Sequence, residues 1–207
     1  MFMIRWILTL FTGLILAFAV ASIDVPSAIA QVVSLAMTDS QLQTGEGLTQ
    51  KAFAATNVGD FATAEDYWTQ LIELFPNYPA AFNNRGNAKA ALEQWEQAIS
   101  DYQKAFELAP DYALARANYA IALYQTGETE TAIRTMKNIV RKYPKFADMR
   151  AALTAALWVQ GNFGEAESNW VAVVGLDSRY KNLDWVKNIR RWPPVMVSAL
   201  EKFLKLQ

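Results

Sequence analysis

The sequence predicts an all-α fold in which four helical hairpins stack side by side as a solenoid. Three regularities predict it, and they recur every 34 residues without an insertion. Each repeat has a short turn, an alanine five residues after the turn begins and a large apolar residue four positions later. A proline closes each of the first three repeats. A fixed period of this length is typical of a chain built from equivalent supersecondary units.

The segment before the repeats has the three-part layout of a secretory signal peptide. Arg5 puts a positive charge in its short beginning, residues 6–20 are almost continuously apolar, and the small residues Ser27-Ala28-Ile29-Ala30 follow. The apolar stretch would enter the membrane, and the small side chains would fit the cleft of the peptidase. We therefore expect a signal peptide over residues 1–30, a linker over residues 31–44 and a mature protein that starts at Gln31.

An uncleaved membrane anchor is the competing interpretation of the same segment. Residues 6–23 form an apolar stretch of 18 residues, and a helix that spans a bilayer needs about 17–25 residues. Asp24 and Pro26 interrupt this helix where the peptidase would act, which favours cleavage. If the segment is retained, the protein would associate with a membrane through residues 6–23.

The period divides the chain into units that run over residues 45–78, 79–112, 113–146 and 147–180. Alanine is expected where the two helices of a unit cross, because a small side chain lets the axes approach to about 8–10 Å. Glycine in the turn fits a left-handed cap of the first helix, and proline stops the second helix. The alanines are Ala64, Ala98, Ala132 and Ala166, the large apolar residues are Trp68, Tyr102, Met136 and Trp170, and the prolines are Pro76, Pro110 and Pro144.

These positions resemble the tetratricopeptide repeat (TPR), a helical hairpin with the same period and an A-x3-F…P ending. The resemblance covers residues 45–180, although the last unit has Ser178 in place of the proline. It implies a right-handed superhelix whose inner surface is a groove formed by the first helix of each unit. Residues 181–207 would supply capping helices, because an open end of such a stack exposes its core.

The resemblance also assigns positions that line the groove. Asparagine side chains there would bond the backbone of a bound peptide, and aromatic or aliphatic side chains would hold its apolar residues. Two other interpretations stay open: the aromatic residues pack between layers, or the chain's own residues 195–204 fill the groove. The predicted partner-binding residues are Phe53, Asn83, Asn87, Asn118, Ile121, Tyr124 and Trp158.

One subset of the family holds the acidic C-terminus of chaperones with a clamp of lysine, asparagine and arginine. Asn87 and Asn118 stand at the positions of the clamp's asparagines. Its basic residues are replaced by Asn83, Asp148 and Ala152. A terminal carboxylate would find no charged partner among them, so we expect a different ligand.

Basic residues recur on the second helix of the third unit. Spacings of three and four residues place Arg134, Lys137 and Arg141 on one helix face. An acidic partner or anionic lipid headgroups would fit such a face. A solvated outer face is the plainer interpretation.

The tail after the repeats contains an amphipathic segment. Within residues 195–204, Val197, Leu200 and Leu204 share one predicted helix face. Residues 180–204 look similar to the tail of TPR proteins of the thylakoid lumen in cyanobacteria and chloroplasts. That likeness implies the lumen or the periplasm as the compartment and a part in assembling photosynthetic complexes.

Arginine and tryptophan stand side by side before that segment. Arg190, Arg191 and Trp192 form a candidate second binding surface, in which cation–π stacking would be worth about 0.5–2 kcal/mol. The alternative is that Trp185 and Trp192 only seal the end of the stack.

The composition excludes several classes of function. The chain has no Cys and no His, which removes disulfides, thiol nucleophiles, imidazole catalysis and the commonest zinc ligands. The net charge of −1 does not favour nucleic acid. No glycine-rich phosphate loop or G-x-S-x-G motif is present. We therefore expect no catalytic residue, no cofactor and no metal.

The hypothesis that remains is a non-enzymatic scaffold or assembly factor that holds another protein or a peptide in its groove. Its compartment would be the periplasm or the thylakoid lumen. A membrane-tethered TPR adaptor is the alternative, and a hydrolase without a recognisable motif is the least favoured of the three.

Overall fold

A computed structural model describes residues 39–206, and the regular secondary structure of these residues is entirely helical. The predicted signal peptide and most of the predicted linker lie outside the described residues. Residues 43–207 form one of the two compact units of the chain, and the packing described below lies within that unit. None of the helices between residues 39 and 206 is long and apolar enough to cross a membrane.

Four helical hairpins follow one another along the chain, as the sequence predicts. From α2 onward, equivalent helices begin 34 residues apart, so the sequence period is also a structural period. The first helices of the hairpins are α1 (Asp39–Asn57), α3 (Pro79–Ala91), α5 (Ala113–Gln125) and α7 (Ala147–Val159). The second helices are α2 (Phe61–Leu74), α4 (Trp95–Leu108), α6 (Thr129–Lys142) and α8 (Phe163–Leu176). The predicted all-α array of hairpins is confirmed, and its handedness stays a prediction.

Each first helix ends in the same tight turn. In the first hairpin, Gly59 has φ +80° and the amide of Asp60 donates to the carbonyl of Ala55 at 2.9 Å. This is the bond pattern of a Schellman cap, in which a left-handed residue lets two amides turn back onto the last carbonyls of the helix. The second hairpin makes the same turn with Glu93 at φ +61°, a conformation that costs a side-chain-bearing residue free energy.

The alanines at the predicted helix crossings are all fully buried, with 0% of their surface exposed at Ala64, Ala98, Ala132 and Ala166. The second hairpin shows why small residues are needed there. A Cβ atom built on Gly86 would lie 3.2 Å from the carbonyl oxygen of Ala98 and 2.7 Å from Cε1 of Tyr102. The two helices therefore touch with no room for a larger side chain, as the repeat pattern predicts.

After the fourth hairpin the chain continues as a short cap. It consists of a 3-10 turn (Ser178–Lys181), α9 (Leu183–Asn188) and α10 (Pro194–Leu204). The turn packs on α8, whereas α10 packs on α7 and also contacts α5. The largest apolar core of the described residues consequently includes side chains from the third and fourth hairpins and from α10. The tail thus lies against first helices of the array.

Candidate functional site

The surface formed by the first helices α1, α3, α5 and α7 is called the inner face here, since it corresponds to the groove that the repeat pattern implies. Its most ordered polar feature is a row of asparagines. Asn118 on α5 donates from Nδ2 to Oδ1 of Asn83 at 3.0 Å and to Oδ1 of Asn87 at 3.1 Å. The structure therefore brings the three predicted asparagines together across two neighbouring hairpins.

The members of this asparagine row differ in exposure. Asn83 is only 1% exposed, whereas Asn87 is exposed and Asn118 is half-buried. Tyr102 donates its hydroxyl to Oδ1 of Asn87 at 3.0 Å, so that oxygen already accepts two hydrogen bonds. Among the bonds found in residues 39–206, Nδ2 of Asn87 and Oδ1 of Asn118 have no protein partner, which leaves one donor and one acceptor for a ligand.

Phe53 lies on α1 at the N-terminal side of the inner face. Its side chain is 46% exposed, and its ring meets the ring of Trp68 edge to face with 5.0 Å between centroids. The buried Trp68 holds one edge of the Phe53 ring and leaves the rest accessible. This residue can therefore contact the apolar side chain of a ligand.

The other predicted apolar residues of the groove are covered by the protein itself. Ile121 is 6% exposed and Tyr124 is 5% exposed. The ring of Trp158 lies between Phe163, at a centroid distance of 4.5 Å, and Phe203 of α10, at 5.1 Å. The prediction that Tyr124 and Trp158 present a free surface is corrected: the alternative in which the tail fills this part of the groove is the one observed.

All three predicted residues of α10 pack on the core, with Leu200 inside it and Val197 and Leu204 against it. Leu200 is fully buried, but Val197 and Leu204 are only partly buried. Met196 and Phe203 are the other fully buried large side chains, both 0% exposed. The most buried line of side chains therefore lies beside the predicted one. Helix periodicity fits both lines, and the sequence does not reveal which of them faces α7.

A buried carboxylate on α7 anchors the tail. Asp148 is 4% exposed and accepts hydrogen bonds from Nη2 of Arg190 at 2.6 Å, from Nε1 of Trp192 at 3.1 Å and from the hydroxyl of Tyr180 at 2.5 Å. Burial and then the negative charge of Asp148 raise the pKa of Tyr180, which stays protonated as a donor. In the sequence, Asp148 was noted only because it stands where the chaperone clamp has a basic residue. Its hydrogen bonds to the tail were not predicted.

This anchor corrects the predicted second surface in the tail. Arg190 pairs its guanidinium with Asp148 and keeps 33% of its side chain exposed. Trp192 is only 5% exposed, so it does not face outward to receive a partner. Arg191 is exposed and adopts φ +53°. Its guanidinium carbon lies 5.3 Å from the centroid of the Phe61 ring in the first hairpin. The tail contains a cation–π contact of its own, in which the guanidinium carbon of Arg179 lies 4.6 Å from the centroid of the Trp185 ring, whereas the contact of Arg191 reaches the first hairpin.

The basic residues of the third hairpin lie on the solvent-exposed side of α6. Lys137 pairs with Glu165 of the next hairpin at 2.7 Å. Arg134 and Arg141 are exposed and bond to neighbouring polar side chains of the same helix. Exposed pairs of this kind contribute about 0–1 kcal/mol each. The binding of an acidic partner or of lipid at this face stays a prediction.

A second buried ion cluster joins α3 to α4 and was not predicted. Asp101 is 4% exposed and pairs with Arg85 at 2.6 Å and with Lys89 at 2.9 Å. The hydrogen bond to Asp101 raises the pKa of Arg85. Spacing of four residues between the two cations is visible in the sequence, but their shared partner lies across the hairpin. All three side chains are engaged, so the cluster supports the fold and offers no open site.

The described residues contain no group of three or more acidic side chains arranged to hold a metal ion. The polar groups that the asparagine row leaves open are neutral amides. Such groups recognise a peptide backbone through hydrogen bonds.

Comparison with known families identifies the repeat. Two family models, both described as Tetratricopeptide repeat, match residues 50–113 and residues 89–157. The matches overlap and together cover residues 50–157, just over half of the chain.

Curated relatives share this region. The human mitochondrial import receptor subunit TOM70 is 26% identical over 145 residues, which cover 62% of this chain and 24% of TOM70. Serine/threonine-protein phosphatase T of Aspergillus oryzae is 31% identical over 117 residues, which cover 56% of this chain and 24% of the phosphatase. The chain thus spans about a quarter of these relatives, and the repeat also occurs in enzymes.

Solved structures agree on the fold. The crystal structure of MamA protein superposes with a TM-score of 0.58 at 16% identity and covers 79% of this chain and 91% of its own. The first TPR of Spaghetti (RPAP3), bound to the HSP90 peptide SRMEEVD, superposes with a TM-score of 0.55 at 21% identity. This match covers 57% of the present chain and 94% of the Spaghetti domain. The period, the hairpins and these matches together make the chain a tetratricopeptide-repeat protein.

Proposed function

We propose that this protein is a non-enzymatic binding module that holds an extended peptide segment of a partner protein on the open part of its inner face. The asparagine row carries this proposal. It places a free amide donor on Asn87 and a free amide acceptor on Asn118 next to each other. A peptide in extended conformation presents carbonyl and N–H groups that pair with such side chains.

The apolar contact of the same site comes from Phe53. Its exposed ring is fixed by Trp68, so a bound side chain would meet a preorganised surface and little side-chain entropy would be lost on binding. The row itself carries no charge. Recognition would therefore depend on the peptide backbone and one apolar side chain, and would tolerate changes of salt concentration better than a charged clamp does.

Related repeats support a peptide as the ligand, because the TPR of Spaghetti is bound to a chaperone peptide. The chemistry differs at this inner face, where Asn83 is buried in the row and Asp148 is neutralised by Arg190. An acidic chaperone tail would meet neither of the two basic residues that it needs at these positions. The proposed ligand is a neutral segment of a client protein.

Site-specific photo-crosslinking tests this proposal. Phe53 is replaced by p-benzoylphenylalanine in the full chain, and the same probe at the exposed Lys104 on α4 serves as the control. We expect a cross-linked partner at position 53 only. Asn118→Ala in the Phe53 probe protein should lower its yield about two- to tenfold for each lost hydrogen bond, while Gln103→Ala should not. Equal yields with Asn118→Ala and with Gln103→Ala would refute the asparagine row as the binding site.

We further propose that the protein acts in an exported compartment, either the periplasm or the thylakoid lumen. The signal-peptide layout of residues 1–30 supports this. N-terminal sequencing of the native protein should begin at Gln31. Recovery of Met1 from membranes that resist an alkaline wash would instead favour the membrane-tethered adaptor.

A further inference from the structure

The C-terminal half of the inner face already contains a helix. α10 lies on α7 and places Met196, Leu200 and Phe203 against it with no exposed surface. The ring of Phe203 contacts Trp158 at 5.1 Å and Trp170 at 5.0 Å, both edge to face. This part of the inner face is therefore built to receive the apolar stripe of an amphipathic helix.

The helix occupies its place without filling it. A groove of about 300 Å³ that is open to solvent runs between α10 and the side chains of Tyr124 and Val159, which belong to α5 and α7. Ser198 and Ala199 form its wall on the α10 side. Val159 and Val195 on the two sides of this groove are 47% and 43% exposed, so apolar surface is left in contact with water here. A helix with a larger apolar residue in place of Ser198 would bury more surface here than α10 does.

The segment that leads into α10 carries strain. Arg191 adopts φ +53°, a region that is unfavourable for a residue with a side chain and that persists only where its surroundings impose it. The surroundings here are the bonds of Asp148 to Arg190 and Trp192 on one side and a bond from the Val195 amide to Gln125 at 2.9 Å on the other. Opening the bonds of Asp148 would remove one of these constraints; the bond from the Trp192 amide to the carbonyl of Val186, at 3.2 Å, is another.

We propose that the inner face of the third and fourth hairpins is a second binding site, whose partner is an amphipathic helix that takes the place of α10. The partner helix carries large apolar residues at the positions of Met196, Leu200 and Phe203, and a further one at the position of Ser198. Asp148 controls access, because its bonds hold the tail in place. This site is separate from the asparagine row, and either proposal can fail without the other.

A synthetic peptide with the sequence of residues 192–206 and the change Ser198→Leu provides the probe. Labelled with fluorescein, it is titrated with the full-length wild type, with Asp148→Asn and with the control Asp184→Asn, whose carboxylate is exposed on α9. Fluorescence polarisation reports the dissociation constant. Because a site that is more often open binds more tightly in proportion, we expect Asp148→Asn to bind at least about tenfold more tightly than the wild type and the control.

Two further measurements separate replacement of α10 from general loosening. The unmodified peptide should bind about tenfold more weakly than the Ser198→Leu peptide, since the added leucine carbons cover apolar surface in the groove. In the complex, hydrogen exchange should accelerate in α10 and stay slow in α7. Arg190→Gln serves as a second, milder variant for weakening the anchor. It removes the ion pair with Asp148 but keeps the hydrogen bonds that Tyr180 and Trp192 donate to this carboxylate.

The proposal is overturned if neither Asp148→Asn nor Arg190→Gln binds the peptide more tightly than wild type. It is equally overturned if both variants lose their thermal transition, because α10 would then be an inseparable part of the core. Slow exchange of α10 in the peptide complex would also contradict it.

Discussion

Substituting Gly86 with alanine tests the close crossing of α3 and α4 quantitatively. The new Cβ would lie 2.7 Å from Cε1 of Tyr102 and 3.2 Å from the carbonyl oxygen of Ala98. The tyrosine ring cannot turn away easily, since it is 3% exposed and its hydroxyl donates to Asn87. Overpacking of this kind costs about 1–3 kcal/mol. The better helix propensity of alanine returns about 1 kcal/mol.

Gly164→Ala supplies the matched control, because a Cβ at Gly164 would meet nothing within 4 Å. That variant should gain about 0.5–1 kcal/mol from the unfolded state alone. The propensity gain is common to both variants, so their difference isolates the packing cost of about 1–3 kcal/mol. For a chain of this size the difference corresponds to a melting temperature about 2–12 °C lower for Gly86→Ala. Thermal melts by circular dichroism that coincide for the two variants would refute the assigned helix crossing.

Three further substitutions extend the test to other parts of the fold. Ala98→Leu should lower the free energy of unfolding by about 1–3 kcal/mol. Its control, Lys104→Leu on the exposed side of α4, should change that free energy by less than about 0.5 kcal/mol. Urea denaturation distinguishes the two variants, and equal midpoints would contradict the assigned helix crossing. Asp148→Ala leaves the buried donors of the tail unpaired and should cost about 3–5 kcal/mol, whereas the exposed Asp184→Ala should cost less than about 0.5 kcal/mol in the same assay. Burial raises the pKa of Tyr102 in the folded protein, whereas an unfolded tyrosine loses its proton near pH 10. The contribution of Tyr102 to the free energy of unfolding should therefore be fully present below that pH and fall as the pH rises above it. Tyr102→Phe should make the fall shallower, and an unchanged pH profile would show that Tyr102 does not cause it.

The fold was predictable because the repeat imposes the same local constraint four times. Ala64 and Ala166 are buried for the same reason, and Gly59 and Gly161 turn the chain in the same left-handed conformation. Each of these positions depends on contacts inside one hairpin, which span few residues. Glu93 shows that glycine is not strictly required in this turn, since the flanking helices and their packing impose the left-handed conformation on another residue.

The arrangement of the proposed binding site was predictable only for the asparagine row. Asn83, Asn87 and Asn118 lie together as the repeat pattern implies, because their register depends on the period alone. The repeat pattern also assigns Trp158 to the groove, yet Phe203 of the tail covers it. Periodicity identifies the residues that face the groove, but it does not reveal what lies in the groove.

The sequence by itself determined the helical hairpins, the alanine crossings and the turns, because each follows from helix geometry within 34 residues. The tertiary structure alone decided where the tail lies. Its anchor joins Asp148 to Tyr180, the last residue of the fourth unit, and to Arg190 and Trp192, which lie after the repeats and follow Asp148 by 42 and 44 residues. A buried carboxylate must find donors wherever the fold provides them. The period places an aromatic residue at Tyr180, but Arg190 and Trp192 lie beyond the repeats and leave no periodic signal by which the pairing could be predicted.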